Sequence, residues 1–434
     1  MTRYTAEYVY TLCGEPLHNA YVEVEDDGTV RRVGLCPDGE KVEEGILCPG
    51  FVNAHCHVEL SYLKGRFRKG TGMAGFIDQI NALRDTSSPE EKVAALKEAM
   101  DSMWARGVQA MADISNCADS FAVKASHPLY TRTFLEVFGA DPSACDAVMD
   151  GVRRLQEEAH AFGLDAAPTP HSCYTMSPRL LSASSAAGLA DGFLSFHSEE
   201  SSEEEEMMMY GRGPMWDNRV ANGIPTPPVT GTSSLLYFLD RLQAAGLPRP
   251  VQGHVLLVHE CCLTAEGAAA AKSALAQPFL AVCPLSNLFI HHILPPIPLM
   301  RESGIPICVG TDSLSSNDQL DMLSELACLQ QAFDLPLQEL LTWACLNGAR
   351  FLGKEDTMGT LEPGKKPGVV RIVRTGSASA AANKMADATT EASPRPEITQ
   401  TDAPSGASPS QIQMSYATAG IFPSLSDCKS IRLC

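Results

Sequence analysis

From residue 46 onward, short apolar runs ending in small or polar residues alternate with longer stretches of helical period. Eight such runs occur: ILCPGFVNAHCH (46–57), VQAMADIS (108–115), LYTRTFLEVFG (129–139), LDAAPTPHS (164–172), GFLSFHSE (192–199), HVLLVHE (254–260), FLAVCPLSN (279–287) and IPICVGTDS (305–313). Continuous apolar runs of this length are the pattern of strands buried on both faces. Between them, PEEKVAALKEAMDSMWARG and CDAVMDGVRRLQEEAHAFG place apolar residues three and four apart, and Gly163 follows the second as a helix stop. Eight successive βα cycles predict an α/β fold, a (β/α)8 TIM-like barrel over residues 49–350.

The chain ends follow another pattern. EYVYTL, AYVEVED and VRRVGLC are short alternating segments broken by GEP, DDG and PDGE, and GTLEPGKKPGVVRIV (359–373) has the same character. They predict a small β-sandwich domain built from residues 1–48 and 351–374, with 421–434 returning as a final strand. In the stretch 375–420, 28 of 46 residues are Ala, Ser, Thr or Pro. So little apolar surface cannot offset the entropy of ordering the chain, which predicts a disordered insertion.

Charge narrows the partners. The 434 residues carry 33 Lys+Arg against 52 Asp+Glu, net −19, which argues against phosphate backbones and anionic membranes as partners. No basic stretch leads into an apolar run at the start, and no 18 consecutive apolar residues occur, so the expected setting is the cytoplasm. The fifteen cysteines are scattered without zinc-finger spacing and read as reduced, small hydrophobes.

The candidate chemistry gathers at the ends of the apolar runs. His55 and His57 sit two apart on the first, so both imidazoles face one side while Cys56 faces the other. His197 ends the fifth run with Glu200 three residues on, His259 ends the sixth, and Asp312 ends the eighth. Catalytic groups of barrels lie at this end of the strands, and such a set suits a divalent metal. His171 closes the fourth run, His254 faces away from His259, and His291-His292 reads as a solvated turn. The acidic run Glu199–Glu206 reads, apart from Glu200, as a solvated helix start, with Met207–Met209 as helix core.

With PGFVNAHCH (49–57), HSEE (197–200), LVHE (257–260), GTDSLSSN (310–317), and NGARFLG followed by GTLEPGKKPG (347–368), the chain resembles the amidohydrolase superfamily. The likeness is specifically to the cytosine-deaminase-like branch that includes the purine and methylthioadenosine/S-adenosylhomocysteine deaminases. The resemblance implies that His55, His57, His197 and Asp312 bind one divalent ion, Zn2+ or Fe2+. Branches with two metals carry a modified lysine on the fourth strand, where this chain has Pro170-His171-Ser172. It implies that hydroxide on the metal attacks an aminopurine-like heterocycle, with Asp312 passing the water's proton to departing ammonia. Glu200 would protonate the ring nitrogen, and His259 would orient the hydroxide. The segments HCHVELSYLKG and GFIDQINALRD resemble those of 6-aminodeoxyfutalosine deaminases of menaquinone biosynthesis, which makes Glu59, His171 and Arg84 candidates for substrate binding. The alternatives are hydrolysis of guanine, methylthioadenosine/S-adenosylhomocysteine or triazines, or a catalytically silent barrel acting as a binding protein. The resemblance is also compatible with a homodimer.

Overall fold

A computed structural model describes residues 1–375 and 424–434; the low-complexity stretch of 375–420 lies, but for its first residue, outside the described residues. The eight apolar runs become eight parallel strands. They are β5 (Phe51–Cys56), β6 (Val108–Ser115), β7 (Tyr130–Val137), β8 (Asp165–Pro170), β9 (Phe193–Ser198), β10 (Val251–His259), β11 (Leu275–Val282) and β12 (Ile307–Val309). They pair in order as two four-stranded halves. Two parallel bridges, Ser172 with His197 and Cys56 with Asp312, join the halves into a closed barrel.

Helices cross between the strands, as right-handed βα connections require. Of these, α1 spans Gly72–Leu83, α2 Pro89–Ala105, α3 Cys145–Ala161, α4 Ser202–Tyr210 and α5 Pro284–His291. The start of α2 is fixed locally: the Ser88 hydroxyl accepts from Glu91 N–H, the Glu91 carboxylate accepts from Ser88 N–H, and Pro89 opens the helix. After α3 the chain turns at Gly163, whose φ of +74° suits glycine.

Val52, Ala54, Ala110, Ala112, Phe134, Leu256, Val258 and Cys308 form the barrel interior, plugged at the bottom by Phe351 against Phe134. The larger core cluster lies outside the strands, where Met103, Leu135, Phe196 and Leu257 meet the helices.

The chain ends form one six-stranded sheet. It contains β1 (Thr2–Val9), β2 (Leu17–Val24), β3 (Val30–Leu35), β4 (Ile46–Pro49), β13 (Val369–Arg374) and β14 (Cys428–Arg432), in the order β14-β13-β4-β1-β2-β3. Where a β-sandwich was expected, the described residues show this single sheet, because both faces are covered by other means. Ile46, Cys48, Val370 and Ile372 pack into the barrel's outer core, while Leu47, Val369, Val9 and Val22 pack under Leu361. Since β4 runs directly through Gly50 into β5, the sheet anchors the first barrel strand. All fifteen cysteines are free and seven are buried. No helix among the described residues is long and apolar enough to cross a membrane.

Closure of the barrel depends on Gly310: a Cβ there would stand 2.7 Å from the His55 carbonyl oxygen and 2.8 Å from His55 Cβ. Gly310→Ala is expected to destabilise the fold by about 1–3 kcal/mol, as overpacking of a rigid core does. Urea titration of the purified variant checks this, and an unchanged midpoint would show that the seam can relax.

Candidate metal and catalytic centre

The strand ends do not deliver their side chains by simple alternation. On β5, Val52 and Ala54 point into the barrel interior, yet His55 and His57, of opposite parity, face the site. The pairing register of β5 with β6 shifts between Asn53 and Cys56, and such an irregularity re-aims the side chains that follow it. On β10, Leu256 and Val258 point inward; His259 reaches the site because its φ is +77°. Glu199, Glu260 and Asp312 also have positive φ, so half of the eight non-glycine residues in that region among the described residues stand at the mouth. Strained backbone of this kind persists only where the surroundings over-determine it.

The result is a buried cluster. The Nε2 atoms of His55 and His57 are 3.2 Å apart, and Asp312 Oδ1 lies 3.8 Å from the first and 3.5 Å from the second. The His197 ring centroid is 4.8 Å from that of His55 and 5.4 Å from that of His57. Asp312 Oδ2 faces away and accepts from the hydroxyls of Ser286 (2.6 Å) and Ser316 (2.7 Å), which leaves Oδ1 for the centre. Burial, followed by mutual repulsion among the imidazoles, drives His55, His171 and His197 far below the usual histidine range, His171 to about 4. At neutral pH these rings are uncharged and hold lone pairs, the form in which imidazole ligates a metal.

Glu200 and His259 stand beside this cluster, with His259 Nε2 3.7 Å from Glu200 Oε1. Burial acts to raise the Glu200 carboxyl, but the imidazoles of His259 and His291 outweigh it and hold the group at about 2, so it is a carboxylate. As placed, Asn287 Nδ2 donates to His259 Nδ1 (3.2 Å), which puts the His259 proton on Nε2, toward Glu200. His55, His197 and His259 also converge, but this tautomer makes His259 a donor there.

Glu59, in the turn after β5, is buried, accepts from Asn116 N–H at 2.9 Å, and is pushed up to about 7 by burial. His171 is held through Nδ1 by the hydroxyls of Ser172 and Thr175, both at 2.8 Å, with its ring 4.8 Å from that of His197. Arg84 is not brought to the cluster; it is exposed after α1, with its guanidinium 3.8 Å from Asp85.

Other residues escaped the sequence reading. Glu136, near the end of β7, sets its carboxylate 3.4 Å from His197 Nδ1. It belonged to an apolar run already noted, but it stands between Leu135 and Val137 with no polar neighbour to give a spacing. His291 is not on a solvated turn: it is the last residue of α5, with its side chain 5% exposed and its Nε2 3.9 Å from Glu200 Oε1. The acidic run is not a solvated helix start either. Glu203 accepts from Met73 and Ala74 N–H, Glu204 from Glu200 N–H, and Glu205 from Ser234 N–H, so the carboxylates terminate backbone donors of neighbouring elements.

Beneath the turn that follows His57 lies an ion pair with both side chains fully buried. Lys124 Nζ is 2.5 Å from Asp113 Oδ2 and 2.9 Å from Ser115 Oγ, while Asp113 Oδ1 accepts from Val58 N–H at 2.8 Å.

A histidine–aspartate cluster with an adjoining carboxylate, at the carboxyl mouth of a closed parallel barrel, defines a barrel hydrolase. The chain belongs to the amidohydrolase family, whose sequence profile matches residues 46–372. It is 27% identical over 335 residues to an adenosine deaminase of Helicobacter pylori, covering 75% of this chain and 78% of that protein. Other relatives carry the names 5-methylthioadenosine/S-adenosylhomocysteine deaminase and aminodeoxyfutalosine deaminase. Among solved structures, the H. pylori aminofutalosine deaminase in complex with methylthio-coformycin shares the fold (TM-score 0.70, 22% identity, 86% of this chain, 93% of that one). So does an adenosine deaminase from Xanthomonas campestris with bound zinc (TM-score 0.67, 21% identity, 88% and 86%). Triazine hydrolases of Arthrobacter aurescens share it as well. The named relatives are hydrolases acting on carbon–nitrogen bonds, and the chain is an enzyme of that kind.

Removing one member of a buried ion pair leaves the other charge uncompensated. Lys124→Met is therefore expected to cost about 3–5 kcal/mol. A thermal melt beside that of the exposed Lys97→Met checks it; equal melting temperatures would mean that Asp113 finds another partner.

Proposed function

We propose that the protein is a metal-dependent aminohydrolase that releases ammonia from an aminopurine-like heterocycle, with 6-aminodeoxyfutalosine the most specific candidate. The observation that carries this reading is the convergence of His55 Nε2, His57 Nε2 and Asp312 Oδ1 within 3.8 Å, directly beside the Glu200–His259 pair. The donor set fits a divalent cation: two ring nitrogens 3.2 Å apart share at most one proton, and an anionic oxygen faces both. His55, His57, His197 and Asp312 would hold one ion, Zn2+ or Fe2+, with His197 Nδ1 donating to the His171 carbonyl oxygen and the Glu136 carboxylate 3.4 Å from that nitrogen. When bound, such an ion acts as a Lewis acid that lowers the pKa of a coordinated water from 15.7 toward roughly 7.

The protein groups account for the proton traffic. Because Glu200 is ionised, it must first take a proton from the attacking water before it can protonate the ring nitrogen. That protonation makes the amino-bearing carbon electrophilic. His259, with Nε2–H facing the same space, hydrogen-bonds the oxygen as it adds and stabilises the negative charge that develops. Asp312 then carries the second proton to the departing amine, its Oδ2 meanwhile held by Ser286 and Ser316. Both protons of one water are consumed: one stays on the ring nitrogen and one leaves in ammonia.

Glu59 and His171 are assigned to substrate. Both are anchored on one side and sit at the mouth beside the metal cluster, and Glu59 suits hydrogen bonding to ribose hydroxyls. The names of the relatives support a nucleoside-like substrate, and the aminodeoxyfutalosine deaminases among relatives and structures support the specific candidate.

Glu200→Gln is expected to lower ammonia release from a panel of aminopurine nucleosides by about 10² to 10⁴, the usual share of a positioned proton-transfer group, while bound metal stays at the wild-type level. Undiminished turnover in this variant would sink the mechanism. Metal analysis tests the centre separately: Glu136→Gln should weaken zinc binding by about 10- to 100-fold in a chelator competition, as loss of a carboxylate behind a ligand histidine does.

A further inference from the structure

We propose that His291 is a positioning residue for Glu200, an assignment that rests on the role proposed above for that carboxylate. His291 ends α5, the helix whose Asn287 also contacts His259, and Glu200 faces both imidazoles. Both approach the same oxygen: His259 Nε2 stands 3.7 Å from Glu200 Oε1 and His291 Nε2 stands 3.9 Å from it. The His291 side chain is 5% exposed, and its Nε2 is buried with no hydrogen-bond partner. A buried polar atom without a partner is a cost that folds ordinarily avoid, and here the atom is aimed at a catalytic carboxylate.

The surroundings keep the ring in place. Gly70 N–H donates to Phe289 O at 2.7 Å, tying α5 to the loop after β5. A cleft of about 130 Å³ opens behind the ring, lined by Gly70, Gly72, Ser201, Glu203 and Ile290. His291 lines this cleft and also faces Glu200. A separation of 3.9 Å is too long for a hydrogen bond in the resting state, but such contacts in empty active sites tighten when substrate binds. With two N–H groups closing on Oε1, Oε2 is left to exchange the proton with the ring nitrogen of the substrate. His291 touches neither substrate nor metal in this arrangement; it acts by fixing which oxygen of Glu200 faces the reaction.

The experiment uses zinc-loaded protein. In His291→Ala, kcat for ammonia release is expected to fall at least about tenfold, a share of the 10² to 10⁴ carried by a positioned proton-transfer group, with KM little changed. His291→Gln, which keeps a side-chain donor, should recover most of the loss, whereas His291→Phe, which keeps only bulk, should not. Wild-type kcat in the alanine variant, or a glutamine variant no better than the phenylalanine one, overturns the proposal. A second measurement is independent of turnover. In side-chain ¹⁵N–¹H spectra of histidine-labelled protein, the His291 signal, assigned by its loss in His291→Gln, should move in Glu200→Gln and stay fixed in Glu266→Gln. A signal unmoved by Glu200→Gln overturns the pairing. A signal that moves, in a protein that releases no ammonia from any substrate, supports the pairing and overturns the deaminase reading instead.

Discussion

The carbonyl oxygen of His55 accepts from the N–H groups of both Thr311 and Asp312 at 3.1 Å, and this junction of the first and last barrel strands determines what the mouth of the barrel can be. The residues it joins are more than 250 positions apart, so the contact forms only at a considerable cost in loop closure. Asn53 reinforces it by donating to Thr311 Oγ1 and accepting from Thr311 N–H. Without the seam, His55 and His57 have no carboxylate, Asp312 has no imidazoles, and neither half of the barrel holds a site. Closure of the fold and assembly of the centre are therefore one event.

The electrostatics of the mouth follow from burial. The imidazoles of His55, His171 and His197 are driven to their neutral forms, while Glu200 stays ionised beside His259 and His291. Nearby carboxyls respond in the opposite sense: burial raises Glu204 and Glu260 well above the ordinary range and Glu199 to about 7. The formal charge of −19 accordingly overstates the anionic character of this region, since burial favours the neutral forms of Glu204 and Glu260. Glu200 differs from these neighbours in facing two imidazoles, and that singles it out as the group with a charge to use.

Much of this was legible in the sequence because barrel strands are continuous apolar runs whose carboxyl ends carry the polar exceptions. His55, His57, His197, His259 and Asp312 stood out as such exceptions, and the structure brings all five together. The reasoning by parity was less secure than the outcome. His55 faces the site because the register with β6 shifts, and His259 because of a positive φ, neither of which a period of two encodes. His291 and Glu136 were missed because their importance is tertiary. A histidine at a helix end and a carboxylate in a strand have no local signature until the barrel sets them against Glu200 and His197. The acidic run misled for a related reason: carboxylates that terminate backbone donors of other elements read, in sequence, like a solvated helix start.

The two parts of the site are held by different physics, which explains why reaction chemistry and substrate choice separate within one fold. The metal-type ligands stand on strands locked by the barrel ladder and by Asp312's two hydroxyl partners, where a small displacement breaks several bonds at once. The walls around them are loops and helix ends tied by a few polar contacts. Val58 is held by Asp113, Glu59 by Asn116, Gly70 by Phe289, and the start of α1 by Glu203. The ties of Glu59, Gly70 and α1 lie off the strands, so they can be exchanged while the hydrolytic centre is kept. The Lys124–Asp113 pair belongs to neither part. It lies fully buried in the barrel wall while holding the first residue of the turn after β5, and through it the rigid scaffold sets where that turn begins.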